Sequence, residues 1–322
     1  MKAAVVGEGG LEVREVPDPK PKPNEVLVKV RAASLNRADL SVAAGHKHGA
    51  VGGPGTIPGL EWAGEVAEAG PEVRGIRVGD RVMCSGGGGY AEYAATDYGR
   101  ASPIPQGMSF ETATTLPVAL QTMHDAIVTN GRLQRGESIM IQGASAGVGL
   151  MGLQISRRRG AAVVIGTSTN AERRARLAEF GATHAIDTKD PSWPDQVRGA
   201  TAGKGVDVIV DQISASVANG NMQAAAVLGR IVNVGRLGGA KGDFDYDLHA
   251  LKRISYIGVT FRTRSVEEVR EINRRMREEL WDAVTAGDLR LPIDRSFPLD
   301  NVKGALAHMK ANQHFGKILL IP

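Results

Sequence analysis

The sequence predicts an α/β protein in which a β-rich domain is split around an inserted, doubly wound parallel sheet, and three observations predict it. From residue 138 to residue 234, apolar strand-like runs alternate with helix-like runs. Before about Ala95 the chain consists instead of short apolar runs punctuated by Pro and Gly, and its last residues, Gly316-Lys-Ile-Leu-Leu-Ile321, return to strand character. Strand and helix in strict alternation imply right-handed crossovers and a parallel sheet, so the final strand is read as rejoining the first domain.

A chain of 322 residues exceeds one ordinary core and suits two. Its 42% hydrophobic and 23% charged residues mark a globular protein, and no apolar run approaches the roughly 18 residues of a membrane span. The start, Met1-Lys-Ala-Ala-Val-Val, lacks the apolar core and cleavage site of a signal peptide, and the single cysteine, Cys84, cannot form an internal disulfide. A cytoplasmic protein is expected. The net charge of +4 is small for this length. The one basic triplet, Arg157-Arg158-Arg159, precedes Gly160, where cations complement a helix C-terminus, so neither a nucleic-acid nor a membrane partner is expected.

In chain order, Glu25-Val-Leu-Val-Lys-Val30 and Glu65-Val-Ala67 read as strands, and the turn-rich segment 45–59, with His46, Lys47 and His48, reads as a surface loop. Ala113 to Thr129 is helix-like. Strands are expected at 138–143, 162–167, 206–211 and 229–234, with helices near 147–160, 171–180 and 215–227, and a last strand over Ser255 to Phe261. Apolar residues at 266, 269, 272, 276, 280 and 284 have the spacing of one helix face. The expected boundaries are 1–117 and 262–322 for the split domain and 118–261 for the insert.

Ser138-Ile-Met-Ile-Gln-Gly-Ala-Ser-Ala-Gly-Val-Gly149 carries a strand through a small-residue turn into a helix. Small residues let the backbone approach a pyrophosphate, and the helix start presents unpaired N–H groups at its positive end. Ser145, Ala146, Gly147 and Val148 are therefore expected to contact a dinucleotide, although Ala144 and Ala146 replace the first two glycines of the strict pattern. About 20 residues on, where an acid would bind the ribose hydroxyls of NAD, the chain reads Thr167-Ser168-Thr169 with Arg173 and Arg174 following. Hydroxyls and a guanidinium suit a 2′-phosphate, so NADPH is the expected cofactor. The same residues also read as a helix cap with surface arginines.

Several motifs then line up over nearly the whole chain: Asn36-Arg-Ala-Asp-Leu40, Ile57-Pro-Gly-Leu-Glu-Trp-Ala-Gly-Glu-Val66, Val78-Gly-Asp-Arg-Val82, Gly89-Tyr-Ala-Glu-Tyr93, Leu116-Pro-Val-Ala-Leu-Gln-Thr122, Gly136 to Gly149, Gly203-Lys-Gly-Val-Asp-Val-Ile-Val-Asp211 and Gly316-Lys317. Together they resemble the quinone oxidoreductase branch of the medium-chain dehydrogenase/reductase family. The resemblance implies a GroES-like catalytic domain split around a Rossmann domain, a homodimer or homotetramer, and hydride transfer from NADPH in an interdomain cleft. Where zinc enzymes of the family carry a Cys and a His, this chain has Asn36 and Leu60, and Cys84 alone cannot build a thiolate site. No metal is expected. Without a Lewis acid, an acceptor that takes hydride unaided is favoured, such as a quinone or an α,β-unsaturated carbonyl.

The resemblance also implies roles. Asn36 would hydrogen-bond the acceptor's carbonyl oxygen as charge develops, with a backbone-satisfying turn residue as the competing reading. Asp39 would hold that turn. Thr122 would contact the nicotinamide carboxamide, or else cap a helix. Ser168 and Arg173 would take the 2′-phosphate, Arg173 standing where relatives carry Lys. Val234, Gly235 and Arg236 would line the ribose; Thr260, Phe261 and Arg262 would end the last strand beside the nicotinamide; Lys317 would reach the cofactor from the tail. Departures are Lys47 where relatives place a Tyr near the quinone, Thr188 for a Tyr used against the 2′-phosphate, and Ser214 for a Gly after Gln212 and Ile213, with Thr188 and Gln212 kept among the cofactor-contacting residues. His46, Lys47 and His48 would form a basic substrate-side lip, or simply a solvated loop. An enoyl-thioester reductase and a non-catalytic NADPH-sensing or RNA-binding protein are the competing functions.

Overall fold

Lys2–Gly7 (β1) and Gly10–Glu15 (β2) pair as an antiparallel hairpin, and Glu25–Ser34 (β3) then organises the first part of the chain. β3 is buried at residues 26–28, 30 and 32–34, with Lys29 and Arg31 exposed, and both of its edges are paired. Arg37–Ala43 (α1) follows, then Glu61–Ala69 (β4), Arg81–Ser85 (β5), Tyr93–Asp97 (β6) and Ala101–Pro103 (β7). β4 lies antiparallel on one edge of β3, while β6 takes residues 25–29 of the other edge. Phe110–Ala113 (α2) and Pro117–His124 (α3) end this stretch; the predicted helix from Ala113 is broken at Thr114–Leu116 and closes in a π-helical turn, Asp125–Asn130.

Ser138–Gln142 (β8), Gly147–Arg158 (α4), Val163–Thr167 (β9), Ala171–Ala175 (α5), His184–Ile186 (β10), Trp193–Ala200 (α6), Val206–Asp211 (β11), Ala218–Ala224 (α7), Ala225–Asn233 (β12), Tyr246–Lys252 (α8) and Ser255–Gly258 (β13) alternate as read from the sequence. The six strands form one parallel sheet in the order β10-β9-β8-β11-β12-β13. β10, α6 and α8 escaped the sequence reading: the strand has three residues without an apolar run, and α6 contains Pro194 and Gly199. Proline is tolerated there because it occupies the first helical turn, whose N–H groups have no partner anyway.

Two expected boundaries are corrected. The last strand ends at Gly258 rather than Phe261, because β12 turns away after Asn233 and leaves no further partner beyond the Val259 N–H to Asn233 carbonyl bond. The helix expected over 215–227 gives way at Ala225, where β12 begins with an irregularity that holds Leu228 at φ 64° and 60% exposed. A left-handed leucine costs about 1–2 kcal/mol, and glycine returns roughly 0.5–1 kcal/mol of that as chain entropy. Leu228→Gly is therefore expected to raise unfolding free energy by roughly 0.5–1 kcal/mol. A urea melt with an unchanged midpoint would exclude strain at this position.

Val266–Ala286 (α9) spans the predicted helix-face stripe, with a Ser265/Glu268 capping box at its start and Gly287 at φ 77° at its end. Val269, Ile272, Met276, Leu280 and Val284 form its buried face as the spacing required, while Val266, the first position of the predicted stripe, lies in the first turn and is 38% exposed. Ile293–Pro298 (β14), Val302–Lys310 (α10) and Lys317–Ile321 (β15) close the chain, and β15 pairs antiparallel with Ala33 and Ser34 of β3. The computed structural model describes residues 1–49 and 51–322 and forms two units: Met1–Val118 with Phe261–Pro322, and Ala119–Thr260. The first has its core around Trp62, Tyr90, Leu35 and Ile318. The second packs Met140, Ile165, Ile209 and Ile231 on one face of its sheet. Among the described residues, no helix is long and apolar enough to cross a membrane.

Candidate active site

In the second unit, β8 lies between β9 and β11, the point from which the chain winds out to both sides of the sheet. A ligand-binding crevice opens at the carboxyl ends of strands at such a point. There Gly143 turns the chain at φ 72° and α4 starts at Gly147. Its cap residue, Ala146, offers no side-chain acceptor, and the N–H groups of Gly147 and Val148 find no acceptor among the described residues. A Cβ on Gly149 would stand 2.6 Å from Ala144 Cα and 2.7 Å from its carbonyl oxygen, so helix and turn approach as closely as glycine allows. This cradle fits a dinucleotide pyrophosphate. Of the four residues expected to donate, Ala146 is partly spent, its N–H reaching the Gly143 carbonyl at 3.3 Å.

Beneath the cradle runs a buried polar network. Thr167 donates to Gln142 Oε1 (2.7 Å) and accepts from the Gly143 N–H (3.0 Å); Gln142 Nε2 donates to Asn221 Oδ1 (2.7 Å), and Asn221 donates to Asp211 Oδ2 (3.0 Å). Asp211 also accepts the N–H groups of Ile213 and Ser214, and its burial pushes its carboxyl above the usual range, against those hydrogen bonds. Two expectations are corrected. The Thr167 hydroxyl is fully engaged and 1% exposed, so it supports the turn rather than a ribose. Gln212 donates to the Gln142 and Gly143 carbonyls and does the same. Ser214, at the position where a glycine was anticipated, sits at φ 74° and ψ −123°, held by Asn233 Nδ2 on its hydroxyl at 2.8 Å. At Gly235 a Cβ would meet the Gln212 carbonyl at 2.4 Å, which fixes glycine there. Val234 is half-buried beside it, and Arg236 is exposed with its guanidinium on the Val234 carbonyl.

At the end of β9, Ser168 donates to Ser145 Oγ at 3.0 Å, tying the two phosphate-side segments together. Asn170 caps α5 by accepting the Arg173 N–H. Thr169 and Asn170 are exposed, with Arg173 half-buried on the first turn. Arg174 is committed elsewhere, to the Ser168 carbonyl (2.8 Å) and Asp187 (2.9 Å). Thr188 is half-buried next to Asp187.

In the first unit the ends of β3, β4 and β15 converge. Ser34 and Glu61 face each other across the β3–β4 ladder, and Lys317 opens β15 beside them. Glu61 is fully buried and accepts from Ser34 Oγ (2.6 Å), Asn36 Nδ2 (2.9 Å), the Val118 N–H (2.8 Å) and the Lys317 ammonium. Lys317, 3% exposed, also donates to Asn36 Oδ1 at 3.0 Å. This corrects the expectation that Lys317 reaches the cofactor: its charge is spent on a buried carboxylate. The same donor set does not fit a zinc ion, since an ammonium occupies the carboxylate and amide oxygens that would ligate it. Cys84 is buried in β5, where burial pushes its thiol up and holds it neutral.

One turn on, Asp39 Oδ2 accepts from the Asn36 N–H and the Tyr90 hydroxyl, both at 2.7 Å, while Oδ1 has no partner among the described residues. Asp39 thus holds the turn, as expected. Burial, opposed by those two hydrogen bonds, pushes its carboxyl from 3.8 up to about 6. The folded state therefore binds this proton more tightly than the unfolded chain. The contribution is full below the unfolded value and is lost as pH rises toward 6, a cost on the order of 3 kcal/mol. Asp39→Asn is expected to abolish that dependence, so wild type should lose stability relative to the variant between pH 4 and pH 7. A constant difference in urea melts at the two pH values would exclude it.

Thr122 lies at the sixth position of α3, half-buried, so it caps nothing; its hydroxyl has no partner among the described residues. Lys47 and His46 are exposed. His48 is half-buried, and burial with the nearby Arg262 lowers its basicity. The loop packs on Arg262, whose carbonyl oxygen would stand 2.9 Å from a Cβ on Gly49. Thr260 ends the second unit, while Phe261 and Arg262 belong to the first and lie beyond the strand expected to carry them.

Sequence reading assigned no role to Glu61, Ser34, Gln142, Asn221 or Asp187. A usable signal existed for the first: an acid inside Leu60-Glu-Trp-Ala-Gly64 and a lone lysine before Ile-Leu-Leu-Ile are two charges in apolar strands, which are buried only as partners.

A family model described as alcohol dehydrogenase GroES-like domain matches residues 22–106, and one described as zinc-binding dehydrogenase matches residues 147–278. The quinone oxidoreductase of Rattus norvegicus is 29% identical over 333 residues, covering 100% of this chain and 98% of that protein. A mycocerosic acid synthase-like polyketide synthase of Mycolicibacterium smegmatis is 28% identical over 99% of this chain, and the chain spans 15% of its length. Among solved structures, an alcohol dehydrogenase superfamily protein from Novosphingobium aromaticivorans has a TM-score of 0.90 at 29% identity, covering 100% of this chain and 99% of that one.

Proposed function

Given that the chain belongs to the medium-chain dehydrogenase/reductase family, as an oxidoreductase of its quinone oxidoreductase branch, we propose that it is a zinc-independent, NADPH-dependent reductase of quinones and related α,β-unsaturated carbonyls. When bound, NADPH supplies a hydride from its nicotinamide ring. Gly147 and Val148 donate backbone N–H groups to the pyrophosphate, Ser168 and Arg173 take the 2′-phosphate, and the Asn36 amide meets the acceptor oxygen on which charge develops.

The observation that carries this reading is the Asn36 cluster. It offers an amide donor but neither a metal site nor a free base, so it cannot readily deprotonate an alcohol, whereas a quinone needs only hydride and a stabilised oxyanion. The oxyanion then takes its proton from water. The polyketide synthase relatives support a second reading, reduction of a conjugated thioester, which requires a proton at the α-carbon. Tyr90 is fully buried with its hydroxyl on Asp39 of the Asn36 turn, so it is not free to protonate an α-carbon, which favours the quinone. Assembly as a homodimer or homotetramer is part of the proposal, with the open edge of β13 as its surface.

The test is NADPH oxidation by chelator-treated protein with an ortho-quinone, followed spectrophotometrically beside NADH and a conjugated enoyl thioester. Quinone turnover with NADPH preferred is expected. Turnover of the thioester alone selects the second reading, and equal use of NADH overturns the cofactor assignment.

A further inference from the structure

An asparagine amide is nearly symmetric in shape but opposite in chemistry at its two ends: one oxygen accepts and one nitrogen donates twice. Either orientation fits a pocket sterically, and only hydrogen-bond partners choose between them. Around Asn36 both partners are of fixed polarity. Lys317 can only donate and stands on Oδ1 at 3.0 Å; ionised Glu61 can only accept and stands on Nδ2 at 2.9 Å. A flip would set ammonium against NH2 and carboxylate against carbonyl oxygen, losing two charge-assisted hydrogen bonds inside a buried cluster. One Asn36 N–H remains without a partner among the described residues, on a side chain whose residue is 7% exposed.

From this we propose that Lys317 and Glu61 are positioning residues that lock the Asn36 amide with a donor, never an acceptor, available to the carbonyl oxygen of the hydride acceptor. The inference rests on the function proposed above and adds what makes Asn36 competent. A flipped amide would present a lone pair to a developing oxyanion and oppose the reaction. The Lys317 charge on the amide oxygen also draws density from the nitrogen and strengthens the remaining N–H as a donor. Glu61 serves a second end: its other oxygen accepts the Val118 N–H at the start of α3, so the carboxylate cannot swing away to release the amide.

The test compares wild type with Asn36→Ala, with the charge-neutral pair Lys317→Met/Glu61→Gln, and with the triple variant. The pair removes both charges together, so no lone buried charge threatens folding, and each variant's fold is verified by a thermal melt and by unchanged NADPH affinity. With a quinone acceptor, Asn36→Ala is expected to lower kcat about 100-fold. The pair should lower kcat about 10-fold with little change in KM, as loss of an interaction made in the transition state requires. In the Asn36→Ala background the pair should cost nothing further, because it acts through the amide. A loss that persists undiminished there, or a folded pair with wild-type kcat, overturns the proposal.

A second readout is independent of turnover. The Asn36 side-chain NH2, labelled with 15N and assigned by its disappearance in Asn36→Ala, should show two well-separated proton signals, one slow in hydrogen exchange. In the pair both should exchange fast. Equal exchange in wild type and the pair overturns the lock even if quinone is reduced. Slow exchange in wild type, lost in the pair, upholds the lock even if no acceptor turns over, and only the proposed function then fails.

Discussion

Gly149→Val is expected to weaken NADPH binding by about tenfold or more while leaving the first unit intact. A Cβ at this position would meet backbone, Ala144 Cα at 2.6 Å and its carbonyl oxygen at 2.7 Å, and backbone cannot rotate aside as a flexible side chain can. Relief requires α4 to lift from the turn, which carries the Gly147 and Val148 N–H groups away from where a pyrophosphate would lie. The forced repacking also costs about 1–3 kcal/mol of stability. Calorimetric titration with NADPH, beside a thermal melt, measures both. Wild-type affinity in a folded variant would mean that the cradle does not hold the cofactor.

Glu61→Ala is expected to lower unfolding free energy by about 3–5 kcal/mol, the largest stability effect in the first unit. It strands the Lys317 ammonium at 3% exposure and removes the acceptor of Ser34, Asn36 and the Val118 N–H. Most of the loss comes from the unpaired charge, so Lys317→Met added to Glu61→Ala should recover a large part of it. Urea unfolding of the three variants decides the matter. A single variant that loses less than about 1 kcal/mol would show that Lys317 finds water or another partner, and that the pair contributes little. At roughly 2–4 °C per kcal/mol for a unit of this size, the single variant should melt about 10 °C lower.

Much of the fold was legible because its signals are local. The period of α9 named its buried face from Val269 onward, missing only the exposed Val266 of the first turn, and the apolar runs ending in small-residue turns marked β8, β9 and β11. The tail Lys317–Ile321 read as a returning strand because an apolar run at the end of a chain needs a sheet to bury it. What failed was also local. β10 is too short to show a pattern, and α6 carries Pro194 and Gly199 at positions where a helix tolerates them. The last strand was read too long because its end is set by the partner strand turning away, and no feature of residues 259–261 reports that.

The site divides in the same way. Its residue types were visible, and their jobs were not. Thr167 and Gln212 stand where cofactor ligands were expected, yet each hydroxyl and amide is taken by the turn, and that depends on where Gln142 and Gly143 come to rest. Lys317 and Glu61 are 256 residues apart and meet only because β15 folds onto β3 next to β4.

By itself the sequence determined the class of each segment, the phosphate-cradling turn and the place of that turn in a parallel sheet, since these follow from periodicity, glycine and the helix dipole. Only the tertiary structure decided which polar groups face a ligand and which are spent within the protein. A hydrogen-bonding group has no fixed role in a sequence; burial and the nearest partner of opposite polarity assign it, and both are properties of the assembled sheet.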